Sequence, residues 1–576
     1  MLKLIFFKPK FLLNCSSNSS TKMKKLILPI ACVISLTLGA FISKVANNRN
    51  AELQPITVEI INQAEKILGL DFTDAEADSM LNKLDDNRKN YEAIRKIPLD
   101  NSVAPALYFN PLPVGFEFET SYLPFKVSQI SAVKLPANRE DLAFYSVREL
   151  GELLRTKQIS SVEITKFFLE RLKKYDPQLH CVITLTEDLA LKQASQADAE
   201  IKAGKYRGFL HGIPYGAKDL LAVKGYKTTW GSMPYKDQMI DKDAVVVQRL
   251  EQAGAVLCAK LTLGALAMGD VWFGGKTLNP WDLKRGSSGS SAGSASSVSA
   301  GLLPFAIGSE TLGSIVSPST ECGTTGLRPT FGRVPRTGAM ALSWSMDKLG
   351  PICRSVEDCA IILNVIQSPD NQDFTCMKAP FNYDGTKGLQ GIKIAYLKTD
   401  FERRYPNKAT DSLTLLTLKN LGATLIPLDL PDLPANDISF LLGVEAAAAF
   451  DELTRSNRDD LMVRQTKNAW PNAFRSARFV PAVEYIQANR HRTLLIQEME
   501  RRLQGIDVYL SPSFGKNLTL TNLTGHPCVV LPNGFRADNR PVSITFMGKL
   551  FGEAKLLQVA KVYQDATDFH KKHPKL

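Results

Sequence analysis

The chain is poor in the residues on which metal and dithiol chemistry depend. Its 576 residues hold six histidines and nine cysteines, and no two cysteines stand at the C-x-x-C spacing of a zinc or redox site. Cys15 and Cys32 lie near the N-terminus and the other seven are scattered, a pattern that favours buried free thiols over a disulfide framework. Aspartate and glutamate are absent from residues 1–50, where eight of the 70 lysines and arginines sit. The excess positive charge is therefore local. The remaining chain is close to neutral and carries no basic stripe, which argues against nucleic acid as a partner. No internal repeat is present.

The basic N-terminus has a more specific reading. Met23-Lys24-Lys25 precedes an apolar run from Leu26 to Ile42, the order of a secretory signal's charged and hydrophobic regions. Kept uncleaved, the run is at the short end for a membrane anchor. The expectation is a leader over residues 1–50, starting in effect at Met23. It makes the protein exported (periplasmic or extracellular) or membrane-anchored rather than cytoplasmic, with residues 26–42 as the stretch that would meet a membrane.

Residues 51–135 read as a helical N-terminal extension and connector. Apolar residues at three- and four-residue spacing predict helices over 57–68 and 73–97, and a proline-rich connector follows over 98–124. Residues 136–576 read as one α/β domain. The capping boxes Ser146-x-x-Glu149 and Ser160-x-x-Glu163 open two helices. Strands are expected at 180–185, 255–259, 391–397, 423–428, 507–511 and 541–546, a buried strand or turn at 212–219, and a helix at 243–253. Such alternation predicts helices around a mostly parallel or mixed sheet.

The chemistry concentrates in two glycine-rich segments. Residues 285–294 read RGSSGSSAGS. A flexible linker has this composition, but the run passes into the apolar Leu302–Ile307, so its small residues suit close backbone approach in a buried place. A second turn, Gly308 to Ile315, can aim consecutive N–H groups at one point, as an oxyanion hole requires. Ser314 would attack while N–H groups of Thr311, Leu312, Gly313 and Ser314 hold the developing charge. A nucleophilic serine needs a base, and none of the six histidines stands in a catalytic context. Lys218, in GIPYGAKD, follows an apolar segment; burial would lower its pKa and leave a neutral amine. The residues alone leave open a plain surface turn at 308–315 and a surface lysine at 218.

The order GIPYGAKD, NPW, GSSAGSA, GSETLGSIVSP and CGTTGLRPTFGRVPRTG resembles the amidase signature family, from roughly residue 145 to 570. The resemblance implies that family's fold, a large central mixed β-sheet surrounded by helices. It also implies a Ser–cis-Ser–Lys triad, with Ser314 as nucleophile, Lys218 as base and Ser290 as the bridging serine. The Gly289–Ser290 peptide would then be cis. The implied reaction is hydrolysis of a non-peptide amide C–N bond to acid and amine or ammonia through an acyl-enzyme, on a small-molecule amide and with no cofactor or metal. The chain departs from the family's Gly-[ST]-Asp-x-Gly-Gly-Ser-Ile-Arg at Glu310, Leu312 and Val316, which implies a differently wired charge environment beside the nucleophile.

Three other readings compete with this one. Residues 289–293 formally fit the G-x-S-x-G of α/β-hydrolases, which need a histidine and a strand just before the serine. A glutaminase subunit of a tRNA-dependent amidotransferase shares the triad, but usually carries an acidic pair ahead of Ala-Met-Gly, where this chain has Leu266-Ala267-Met268-Gly269. An inert binding descendant would have lost Lys218 or Ser314. Met340, Trp344 and Met346 are candidates for the acyl pocket or for core packing. Sequence leaves the oligomeric state open.

Overall fold

The computed structural model describes residues 54–576, so the leader reading lies outside the described residues. No helix among them is long and apolar enough to cross a membrane. By their contacts they divide between Ile97 and Pro98.

The first unit is a helix pair, Val58–Leu68 and Asp74–Arg95. Gly69 ends the first helix in the left-handed region, at φ 66°. A capping box starts the second: Thr73 Oγ1 accepts from the Glu76 N–H, and Glu76 Oε2 accepts from the Thr73 N–H at 2.8 Å.

In the second unit the strands of the main sheet are β1 Val182–Leu185, β2 Pro214–Lys218, β3 Val256–Leu261, β4 Phe305–Glu310, β5 Thr325–Arg328, β6 Lys348–Cys353, β7 Ile394–Leu397, β8 Leu425–Leu428, β9 Val508–Pro512, β10 Cys528–Phe535 and β11 Pro541–Gly548. Among the described residues these eleven form one sheet, ordered β1-β3-β2-β4-β6-β5-β10-β11-β9-β7-β8. It is mixed: β2 runs parallel to β3 and β4, β7 runs parallel to β8 and β9, and the remaining neighbours are antiparallel. Helices surround it, and both capping boxes anticipated at Ser146 and Ser160 are present.

Strand periodicity sorts the core into two clusters. Leu257, Phe305, Ile307, Val508, Leu510, Val529 and Leu531 join one, while Val256, Cys258, Ala306, Tyr509, Cys528 and Val530 join the other. Alternate residues thus face opposite sides of the sheet, and each large apolar side chain so buried contributes roughly 1.5–3 kcal/mol.

Strands β4, β5, β6 and β10 were not anticipated: β4 runs on to Glu310, into the segment read as a turn from Gly308, while β6 and β10 carry Pro351 and Pro532, and a proline cannot donate to a ladder. Both sit where one neighbour is missing. The pairing of β6 with β5 covers only residues 352–353, and that of β10 with β5 stops at Val530. Neither proline removes a bond that a second neighbour would have accepted. The glycine–serine run contains a buried helix, Ala292–Ser299, beside the sheet.

Candidate active site

Lys218 ends β2, the third strand from the β1 edge of the sheet, and is fully buried. Its Nζ lies 2.8 Å from Ser290 Oγ, 3.1 Å from Ser291 Oγ and 2.9 Å from Ser309 Oγ. No carboxylate comes within ion-pair distance of it among the described residues, whereas buried Lys260 nearby lies 2.7 Å from Asp219. Burial therefore drives the Lys218 amine well below its usual pKa near 10.5, against a weaker upward pull from Asp347 and Glu310. Three hydroxyl neighbours suit the neutral form, which has two N–H donors and one lone pair. Ser291 accepts from the Ser309 N–H at 3.1 Å and donates to the Ser309 carbonyl at 3.1 Å. Its proton is engaged, so towards Lys218 it accepts. Ser290 has no other hydrogen bond among the described residues and is free to donate to the amine.

The Gly289–Ser290 peptide is cis. Position 289 has no room for a side chain, because a Cβ there would lie 1.9 Å from the Gly269 carbonyl oxygen. The tract is tied to the second glycine turn at two points. The Ser291 N–H donates to the Ser314 carbonyl at 3.2 Å, and the Ser288 and Ser317 hydroxyls lie 2.7 Å apart. Ser314 is nearly buried, and its hydroxyl makes no hydrogen bond among the described residues. The structure thus joins Lys218 to Ser290 directly and brings Ser314 beside them through the backbone.

The turn 311–315 is held from both sides. Gly313 takes φ 80°, a left-handed conformation that a side chain would strain. The N–H groups of residues 311–314 are donated to no other group of the described residues, whereas those of Ile315 and Val316 go to Glu310 Oε2 at 2.8 and 3.0 Å. Glu310 Oε1 accepts from Arg328 Nη1 at 2.7 Å and from Asn522 Nδ2 at 2.8 Å. Burial alone would raise the Glu310 pKa, but Arg328 and the Val316 N–H hold it down to about 2. The rewiring expected at Glu310 is thus specific: the longer carboxylate reaches Arg328 on β5 in the absence of an arginine at position 316. Across the turn, Thr311 Oγ1 donates to Asp347 at 2.6 Å, and Asp347 also accepts the Leu342 and Ser343 N–H groups.

A cavity of 270 Å³ opens against Ser309, Thr311 and Asp347. Met340 and Trp344 line it; Met346 is buried in the core instead. Ser290 and Ser314 stand off its wall. Residues 101, 102 and 104 of the connector also line it, which sequence reasoning did not anticipate. Nor did it give a role to Ser309, Arg328 or Asn522, and Ser291 entered only through the G-x-S-x-G match. The serine of the G-x-S-x-G match, Ser291, bonds lysine and backbone and meets no histidine, so the α/β-hydrolase reading fails. Among the described residues no cluster of three or more His, Cys, Asp or Glu is arranged to hold a metal ion.

The sequence matches the Amidase family over residues 163–520, and the chain belongs to that family. One of the subunits of the glutamyl-tRNA(Gln) amidotransferase of Acinetobacter baumannii is 34% identical over 490 residues, covering 75% of this chain and 98% of that protein. The same subunit from Coxiella burnetii is 34% identical over 481 residues, covering 75% and 99%. Among solved structures, the native peptide amidase of Stenotrophomonas maltophilia is 29% identical with a TM-score of 0.67, covering 75% of this chain and 98% of that one. The protein is an amidase-signature enzyme acting on C–N bonds.

Proposed function

We propose that the chain hydrolyses a non-peptide primary carboxamide through an acyl-enzyme on Ser314. The observation that carries this reading is the buried Lys218 amine, ringed by hydroxyls with no carboxylate to keep it charged. Neutral Lys218 takes the Ser290 proton as Ser290 takes that of Ser314, whose oxygen attacks the amide carbon. The unused N–H groups of residues 311–314 receive the negative charge that forms on the carbonyl oxygen. Lys218, now protonated, returns a proton through Ser290 to the leaving nitrogen, and ammonia departs. Water then adds to the acyl-enzyme by the same relay and releases the acid, leaving lysine neutral again.

A second reading is the glutaminase subunit of a tRNA-dependent amidotransferase. The relatives favour it, since the chain aligns with nearly the whole of the amidotransferase subunits from Acinetobacter and Coxiella. The sequence Leu266-Ala267-Met268-Gly269, without an acidic pair before it, favours a free amidase. Both readings use the same triad and release ammonia.

Ammonia release from a panel of primary carboxamides, glutamine included, tests the proposal. Wild type should turn over at least one, and Ser314→Ala should lower kcat by ~10⁴-fold or more. Undiminished turnover in Ser314→Ala would refute the nucleophile. A wild type inactive alone, with glutamine hydrolysis appearing only beside amidotransferase partner proteins, would replace the first reading with the second.

A further inference from the structure

The cavity beside Thr311 is closed in part by a segment outside the family's matched residues 163–520. Asn101, Ser102 and Ala104 belong to the proline-rich connector, which sequence alone marks only as a link. Asn101 is held firmly: its Nδ2 donates to the Ala341 carbonyl at 2.9 Å and its Oδ1 accepts the Ala341 N–H at 2.7 Å. A further Nδ2 contact reaches the Ala449 carbonyl at 3.4 Å. The residues flanking Ala341, Met340 and Leu342, line the same cavity. The Leu342 N–H binds Asp347, which in turn accepts the Thr311 hydroxyl. The connector is thus bonded, through one short loop, to the turn that carries the free N–H groups.

We propose that residues 101–104 form a specificity wall that limits the length of the acyl group. This rests on the amide-hydrolase reading. In a primary carboxamide the leaving group is ammonia, so every feature by which substrates differ lies in the acyl portion, and the cavity beside the carbonyl-binding turn is where that portion goes. Its lining mixes apolar side chains (Leu220, Met340, Trp344) with polar ones (Lys242, Gln372). That composition suits an acyl chain with an apolar body and a polar end. The family's shared motifs do not encode this wall, so relatives with the same triad are free to take different acyl groups.

The test uses full-length protein and two serine-directed phosphonofluoridates, one bearing a methyl and one a hexyl chain in place of the acyl group. The Ser314 oxygen attacks phosphorus, fluoride leaves, and the hydroxyl proton passes to the relay. Ala104→Phe should lower the hexyl inactivation rate by about ten-fold, the scale on which a filled pocket discriminates, and leave the methyl rate within about two-fold, on the same scale. Asn101→Ala, which unbinds the wall from Ala341, should change the hexyl-to-methyl ratio from its wild-type value, any disturbance of the turn being common to both reagents. The methyl reagent reports folding and triad integrity in each variant. An unchanged hexyl-to-methyl ratio in both variants overturns the wall and leaves the hydrolase reading standing. Failure of both reagents to label Ser314 in wild type overturns that reading itself.

Discussion

Lys218→Met should silence the enzyme and change how its stability depends on pH. Loss of the base should lower kcat on the order of 10³–10⁴-fold, the upper range for general acid–base catalysis. Lys218→Arg should be equally inactive, since guanidinium stays protonated. In wild type, kcat/KM should rise with pH through the depressed lysine pKa, because only the neutral amine accepts a proton. The stability effect follows from the same displacement. Between the depressed native pKa and the free lysine's value near 10.5, the unfolded chain holds a proton that the native chain lacks. Stability from this group therefore rises with pH across that window. The methionine variant has no such slope. Its stability relative to wild type should be greatest at the low-pH end of the window and should decline towards pH 10.5. The lost lysine–hydroxyl hydrogen bonds shift the comparison equally at both ends. Urea unfolding at pH 7 and pH 10 reads the difference, and parallel stability curves for the two proteins would show that the native lysine is charged.

Glu310→Gln should cost about 3–5 kcal/mol of stability, the scale for removing one partner of a buried ion pair. The variant leaves Arg328 fully buried with its carboxylate gone. Activity should fall further than stability accounts for. Glu310 holds the N–H groups of Ile315 and Val316, and a shift of about 1 Å in the turn they anchor can cost 10²-fold in rate. The loss should fall on kcat with KM little changed, because the turn holds charge that develops only in the transition state. Glu310→Asp keeps the charge but shortens the reach, so it should recover stability less well than charge alone would suggest. Chemical denaturation with steady-state kinetics on the folded fraction separates the two effects; wild-type kcat in folded Glu310→Gln would remove Glu310 from any positioning role.

What the sequence disclosed follows the range of the interactions involved. The capping boxes at Ser146 and Ser160 are local, and the helices they open are where the spacing put them. Strands β7, β8, β9 and β11 alternate or run apolar between turns and were legible for the same reason. β6 and β10 were not, since Pro351 and Pro532 are tolerated only through where a neighbouring strand stops, a property of register. The helix Ala292–Ser299 was hidden by serine's weak helix preference; burial against the sheet overrides it. At the site, family motifs brought out Lys218, Ser290 and Ser314. The hydroxyl ring around the lysine and the Glu310–Arg328–Asn522 cluster join residues far apart in the chain, and no local pattern announces them. Asn101 lay in a segment whose proline content spoke only of a connection.

The hydroxyl ring also bears on how this enzyme can drift in evolution. In the proposed relay Lys218 can act as a base only because nothing anionic touches it, while Lys260, in the same core, faces Asp219. Positions 290, 291 and 309 are therefore constrained by what must never appear there. An exchange of Ser291 for alanine removes hydrogen bonds, but an aspartate there would hand the lysine a lasting counter-ion and turn a base into a spectator cation. One such substitution, with the fold and all three triad residues intact, is a short path from enzyme to inert relative. Loss of function in such a lineage would be invisible to any inspection limited to the triad.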